Sequence, residues 1–483
     1  MADSTATNTA QVPGGERAEL RRALGPIHLV ALGIGAIIGA GIFVITGQAA
    51  AQYAGPGIVI SFVIAGVGCL FAGLCYAEFA SMIPESGSAY TYAYATLGRF
   101  IGWVIGWDLV LEYLAAASTV SVGWSGYFAS LMKEMGYPLP EALSSAPIAI
   151  TGVREFVFTG AIFNVPAVAL VVFLSTLLIV GIRSSAGFNN LMVLIKLTIV
   201  LLVILFGLPL IKMDNLRPFV PDNSGVWGHF GWSGVLRASG VIFFAYIGFD
   251  AVSVAAAEAR NPQRDMPIGI LGSLALCTVL YILMSLTMTG LAHYTTLGVP
   301  NPVFVAIDTA GPALAWLKPL VNIAAVVCLA TVVLVLLYGQ SRIFYAMSRD
   351  GLLPPAFSAV HSTFRTPYVG TIITAAFASL LAGFLPLSIL GELVSIGTLA
   401  AFVLVSIGVL VLRWTKPEAP RPFRTPFVPV VPLLSILVCG AMMAWLPGDT
   451  WIRLAVWFFI GLVIYAFYGA RREATPQWSI GTK

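Results

Sequence analysis

Gly33-Ile-Gly-Ala-Ile-Ile-Gly39-Ala-Gly41-Ile-Phe43 interrupts the first long apolar run of the chain, and Phe243-Phe-Ala-Tyr-Ile-Gly248-Phe-Asp250 interrupts the sixth. Inside a bilayer every unsatisfied backbone group is costly, so a helix is not unwound there without a use. Two interrupted apolar segments in corresponding positions of two halves point to a binding site near the bilayer midplane.

Composition agrees with a membrane setting. Of 483 residues, 59% are hydrophobic and 10% charged, and the mean hydropathy is +0.93. A soluble domain carries roughly 25% charged residues. The net charge of +4 is too small to argue for nucleic acid. The five cysteines (Cys69, Cys75, Cys277, Cys328 and Cys439) lie inside apolar runs without metal-ligand spacing, so they read as small buried apolar residues and no metal is expected. No Ser-His-Asp set, HExxH or phosphate loop is present, so no enzyme activity is expected. The amino-terminal segment lacks the layout of a cleaved signal peptide.

Twelve spans are expected, near 27–54, 57–82, 99–130, 165–182, 187–211, 236–258, 268–292, 316–346, 369–385, 391–412, 428–446 and 450–469. An even count puts both termini on one side. With that side cytoplasmic, 17 of the 25 Lys and Arg residues fall on inside segments and 7 on outside ones, with Lys196 left within the fifth span. The domain reading is a cytoplasmic segment 1–26, a first repeat 27–211, a second repeat 236–412, two added helices within 428–469 and a cytoplasmic tail 470–483. Each repeat has five helices and opens with the broken one. An odd number of helices inverts the second copy, giving an all-α membrane protein of five-plus-five inverted-repeat type. Segment 131–164 reads as a loop, and 293–315 as a surface helix on the outer side.

At the first break, N–H groups at the start of the outer half-helix suit a carboxylate. Carbonyls freed near Ile37 and Ile38 suit an ammonium. The spacing of Gly35 and Gly39 also fits a small-residue packing face. At the second break, Ile247 to Asp250 frees further carbonyls, and Phe243, Phe244 and Tyr246 supply aromatic rings. N–H groups and carbonyls together suit a zwitterion, of which a free α-amino acid is the simplest. Lys196 stands inside an apolar span, where an ammonium is costly and is a functional candidate by default. It suits a proton-carrying role at the carbonyls of the first break, with snorkelling or a fixed ion pair as the plain alternative. Asp108 and Glu112 are four apart, on one face of the third span. Glu78 ends the second span.

These stretches, with Tyr76-Ala-Glu-Phe-Ala-Ser-Met-Ile-Pro84-Glu-Ser-Gly87, Glu258-Ala-Arg-Asn-Pro262 and Met347-Ser-Arg-Asp-Gly351, resemble the amino acid–polyamine–organocation transporters. The nearest likeness is to bacterial homologues of the cationic amino acid transporters. The resemblance runs from about residue 20 to 470. It implies the twelve-helix, five-plus-five fold with helices 1 and 6 broken, and alternating access. It places the substrate carboxylate on the N–H groups of Ala40 and Gly41, and the amino group on the carbonyls of Ile37, Phe244, Ala245 and Ile247. Phe244 matches a gating aromatic, Leu334 a position lining the side-chain pocket, Lys196 a lysine that replaces a sodium ion, and Asp250 an acidic residue linked to gating. Glu112 is placed to meet a cationic side chain. The expectation is proton-coupled uptake of L-amino acids, small neutral or broad in range and extending to cationic ones. Protons serve as the coupling ion and there is no cofactor. Exchange, or sensing without flux, is the alternative. Expected partners are free L-amino acids and the lipid bilayer, with a small single-helix membrane subunit or a sterol or lipid besides. The expected location is a bacterial plasma membrane.

Overall fold

The computed structural model describes residues 24–82, 88–151, 155–181, 186–249, 252 and 259–471. Its main helices are α1 (Pro26–Ile37), α2 (Ile58–Met82), α3 (Ser88–Leu97), α4 (Arg99–Glu134), α5 (Val165–Val180), α6 (Ala186–Gly207), α7 (Gly231–Val241), α8 (Pro262–Leu291), α9 (Pro302–Thr309), α10 (Leu317–Arg349), α11 (Tyr368–Phe384), α12 (Leu387–Thr415), α13 (Val430–Trp445) and α14 (Gly448–Phe467). Seven stretches among the described residues are long and apolar enough to cross a bilayer, and four shorter apolar helices accompany them. We call the face at which α1 begins the terminal face, and the opposite one the distal face.

One of the seven stretches, Gly41–Met82, cannot be a single crossing. At about 1.5 Å per residue its 42 residues would span roughly 63 Å, twice a bilayer core. Gly55-Pro56-Gly57 divides it by a short 3-10 turn. The first part, Gly41 to Ala54, is a half-helix that follows α1 after the break, and α2 begins beyond the turn.

The core is built around α4 and α10, which pack along each other, with α12 on another side of α4. Most of α4 is buried, whereas most of α14 is exposed on the periphery. Helices α1 and α2 both lie against α8. Helix ends follow local chemistry. Pro26 opens α1, where its missing N–H is harmless. The Asn164 side chain accepts from the Ala167 N–H at 3.2 Å to cap α5, and Gly181 closes that helix at φ 89°.

Segment 131–164 departs from the expected loop. It holds an antiparallel hairpin of β1 (Ile148–Thr151) and β2 (Glu155–Phe158), with Ile148 opposite Phe158. Three of the four residues in each strand are β-branched or aromatic, which is the short-strand composition. Within 293–315 the chain forms α9, only eight residues long. All five cysteines are buried and free.

Candidate functional site

Helix α1 stops at Ile37. Ile38 is extended (φ −71°, ψ 103°), and its N–H still donates to Ile34 O at 2.8 Å. The helix restarts at Ala40 and is wound as a π-helix over Gly41–Ile45. The first amide bonded back across the restart is Phe43, to Gly39 O at 3.2 Å. The N–H groups of Ala40, Gly41 and Ile42 therefore have no preceding turn to bond to, the ordinary state of a helix start. Two side chains hold this restart: Thr46 Oγ1 donates to Gly41 O at 2.7 Å, and Tyr127 of α4 donates to Phe43 O at 2.6 Å.

The second break is built differently. α7 tightens into a 3-10 turn over Ile242–Tyr246, leaves helical geometry at Ile247 (ψ 139°) and turns at Gly248 with φ 108°. The change of helix type is stitched by one hydroxyl of α12. Ser395 Oγ donates to Val241 O at 2.7 Å and accepts from the Phe244 N–H at 3.3 Å.

The two breaks lie against each other. A Cβ on Gly248 would stand 2.7 Å from the carbonyl carbon and oxygen of Ala36, and one on Gly41 would stand 2.5 Å from the Ala245 Cβ. Backbone meets backbone here, so the glycines are needed for close approach. Tyr281 of α8 joins the two. Its hydroxyl is 2.9 Å from Ile37 O and 2.6 Å from Ala245 O. Lys196 of α6 reaches the last turn of α1, where its ammonium donates to Gly35 O at 2.7 Å. That carbonyl is among the four a helix end leaves unbonded. Lys196 is buried, and Gly35 packs on Val193 one turn earlier on the same helix.

Of the residues singled out from sequence, Ile37, Ile38, Ala40, Gly41, Phe244, Ala245 and Ile247 are all buried at this junction. Phe244 O accepts from the Ile247 N–H at 3.1 Å. Leu334 of α10 is half-buried and packs against the core. It shares a helix stripe with the exposed Ile323, Val327 and Tyr338, whereas Val332 faces the first break, 3.1 Å from where a Gly39 Cβ would be. Asp250 lies outside the described residues. Asp108 and Glu112 are buried side by side against α12. A Cβ on Gly397 would be 3.5 Å from Asp108 Oδ1 and 3.8 Å from Glu112 Cβ. Among the described residues, neither oxygen of Asp108 has a hydrogen-bond partner. Lys196 donates to a backbone carbonyl, and Arg237 lies over the rings of Tyr53 and Trp227. Glu78 is an anchor near the terminal face, held by Arg413 at 2.9 Å and by the Thr425 N–H at 2.8 Å.

Tyr281 and Ser395 were not reached from sequence. The signal that could have found them was a polar group in mid-span, since a buried tyrosine or serine hydroxyl must find a partner. A narrow cleft on the distal side of the junction is lined by Ile45, Gln48, Gln52, Tyr53, Val241 and Ser388. Near it Tyr53 Oη donates to Glu392 Oε1 at 3.2 Å, and Glu392 also takes Thr450 Oγ1 at 2.8 Å and Arg453 Nη1 at 3.4 Å.

The arrangement offers helix-start N–H groups, helix-end carbonyls and a buried ammonium within one closed junction. Comparison with known proteins bears on what such a junction handles. A family model described as amino acid permease matches residues 24–469. The chain is 48% identical to the branched-chain amino acid permease BcaP of Bacillus subtilis, over 95% of each chain. It is 45% identical to the methylthioribose transporter of the same organism, over 94% of this chain and 95% of the relative. It is 38% identical to cationic amino acid transporter 2, vacuolar, of Arabidopsis thaliana, over 84% of this chain and 62% of that one.

Proposed function

Because the chain belongs to the amino acid permease family and has cationic amino acid transporters among its relatives, we propose that it takes up L-amino acids by proton-coupled alternating access. Membership makes it a multi-pass membrane transporter. The finer reading is twelve spans in five-plus-five inverted repeats, with the terminal face cytoplasmic in a bacterial plasma membrane. The matched breaks and the positive-inside count support it.

The substrate's α-carboxylate goes to the N–H groups of Ala40 and Gly41, and its ammonium to the carbonyl side of the breaks. Tyr281 already sits on two of those carbonyls, Ile37 O and Ala245 O. Each carbonyl oxygen has a second lone pair, so the tyrosine leaves room for a substrate proton. Phe244 covers the site. The side-chain preference we assign is small or branched and neutral. Val332, Ile37 and Phe244 are among the apolar groups at the junction, and one close relative bears the name of a branched-chain amino acid permease.

The observation that carries the coupling is the 2.7 Å bond from Lys196 to Gly35 O. The charged ammonium closes the end of α1 with a charge-assisted bond that the neutral amine would make only more weakly, so its proton and the shape of the first break are linked. The test is uptake of labelled valine, alanine and arginine into proteoliposomes, with and without an inward-acid gradient. We expect gradient-driven accumulation of valine and alanine in the native protein. Lys196→Ala loses a charge-assisted bond worth about 1.5–3 kcal/mol and should lose gradient-driven accumulation while keeping counterflow. Undiminished accumulation in Lys196→Ala overturns the coupling. Strict dependence on internal amino acid would make the protein an exchanger, and saturable binding without flux a sensor.

A further inference from the structure

The β1–β2 hairpin exposes an unusual amount of apolar surface. Phe156 is 64% and Phe158 85% accessible, and their spacing of two puts both on one face of β2. Val157, on the opposite face, is 44% accessible. The segment is nonetheless well fixed. Thr159 N–H donates to Pro147 O at 3.0 Å, Thr159 Oγ1 donates to Ala146 O at 2.7 Å, and Ile162 N–H donates to Ala142 O at 2.8 Å. The aromatics are thus held outward by a bonded framework. A two-stranded sheet is marginal in water by itself. Contiguous exposed apolar surface of this kind marks an interaction site.

What covers it follows from where the surface leads. Ile162, 67% accessible, carries the apolar run from Phe158 into α5. The exposed stripe of α5 then continues through Val165, Val172 and Phe173. Phe163 packs edge-on against Phe384 at 4.9 Å, and the Asn164 N–H donates to Gly383 O at 3.1 Å, so the stripe adjoins the exposed Phe377 and Leu380 of α11. Those stripes face lipid in a membrane transporter. The hairpin surface is therefore the distal continuation of a lipid-facing surface, at the depth where aromatic side chains favour the bilayer interface.

We propose that the β1–β2 hairpin is a membrane anchor, lying in the headgroup–acyl boundary of the distal leaflet with Phe156 and Phe158 inserted into phospholipid. It would pin the outer ends of α4 and α5 to the bilayer surface. This role is independent of the substrate and of proton coupling.

The test places single nitroxide labels on the full-length protein in phosphatidylcholine–phosphatidylglycerol liposomes. Phe158→Cys probes the hairpin, Val172→Cys gives a lipid reference on α5 and Glu141→Cys an aqueous one. The five native cysteines are buried and stay silent, which the unsubstituted protein checks. The ratio of collision with oxygen to collision with a water-soluble nickel complex should be several-fold higher at 158 than at 141, approaching that at 172. A ratio at 158 equal to that at 141 overturns the anchor. Protection from both reagents together with spin–spin broadening between labels also overturns it, and assigns the face to a second copy of the chain.

Discussion

Single side chains at this junction act mainly on backbone. Lys196, Tyr281 and Ser395 bond backbone groups at the broken helix ends, while Thr46 and Tyr127 add hydroxyl donors to the Gly41 and Phe43 carbonyls of the restart. The position of Lys196 was legible in the sequence because an ammonium in an apolar run stands out. Tyr281 was not, since a tyrosine among leucines reads as packing until its partners are known. A different kind of residue-scale control lies beyond the end of α10. There Asp350 accepts from the Tyr90 hydroxyl of α3 at 2.6 Å, with Tyr94, Arg349 and Arg99, which donates to Gly351 O, close by. Burial pushes the Asp350 carboxyl above its ordinary range, outweighing the Tyr90 bond and the Arg349 charge, which pull it down. A carboxyl raised on folding stabilises the fold while it is protonated. That contribution is complete below the ordinary carboxylate value and is lost as pH rises through the raised one. Asp350→Asn should therefore flatten the fall in thermal midpoint on the alkaline side of the normal carboxylate range. A parallel pair of midpoint-versus-pH curves for the two proteins would refute the assignment.

At the scale of elements, the two breaks were readable because clustered glycines weaken a helix inside apolar runs, where lipid makes an unwound backbone most costly. Their construction was not. The first is an extended residue followed by a π-wound restart, and the second is a 3-10 tightening ended by Gly248. Those choices are set by partners distant in sequence, such as Ser395 on α12, which no local pattern announces. The hairpin was missed for a related reason: two four-residue strands are too short for periodicity to separate them from a loop. The contact between breaks makes Gly248→Ala informative. The new Cβ must accept φ 108° and stand 2.7 Å from the Ala36 carbonyl. Backbone strain alone is about 1–3 kcal/mol, and relief requires the two breaks to separate. Gly440→Ala, where nothing lies within 4 Å, is the matched control. Gly248→Ala should lower both thermal stability and substrate affinity, and Gly440→Ala neither. Equal behaviour of the two variants in a thermal-shift titration with valine would show that the contact does not matter.

For the whole molecule, alternating access requires that something hold each side shut. On the distal side the visible fastening is Glu392 of α12. It ties Tyr53 of the half-helix after the first break to Thr450 and Arg453 of α14, and Arg453 is itself paired with Asp449. Near the terminal face Glu78 ties α2 to Arg413 of α12 and to Arg421 and Thr425 beyond it. Both fastenings end on α12, so in the proposed cycle this helix is the common post against which α2 and the half-helix of Tyr53 move. The distal one is the weaker, because Tyr53 reaches Glu392 through a neutral hydroxyl at 3.2 Å while Glu78 receives a bidentate arginine. Tyr53→Phe removes about 1 kcal/mol from the closed form, enough to raise the population open on the distal side about fivefold. A cysteine at Gln48, in the cleft beside this bond, reports that population by its reaction rate with a membrane-impermeant maleimide. The rate should rise several-fold in Tyr53→Phe. It should rise less in Glu392→Gln, which keeps an acceptor for Tyr53 but loses the Arg453 ion pair. An unchanged rate in Tyr53→Phe would mean that the distal side is held shut by the packing of the breaks themselves, and that the bond to Glu392 only orients the tyrosine.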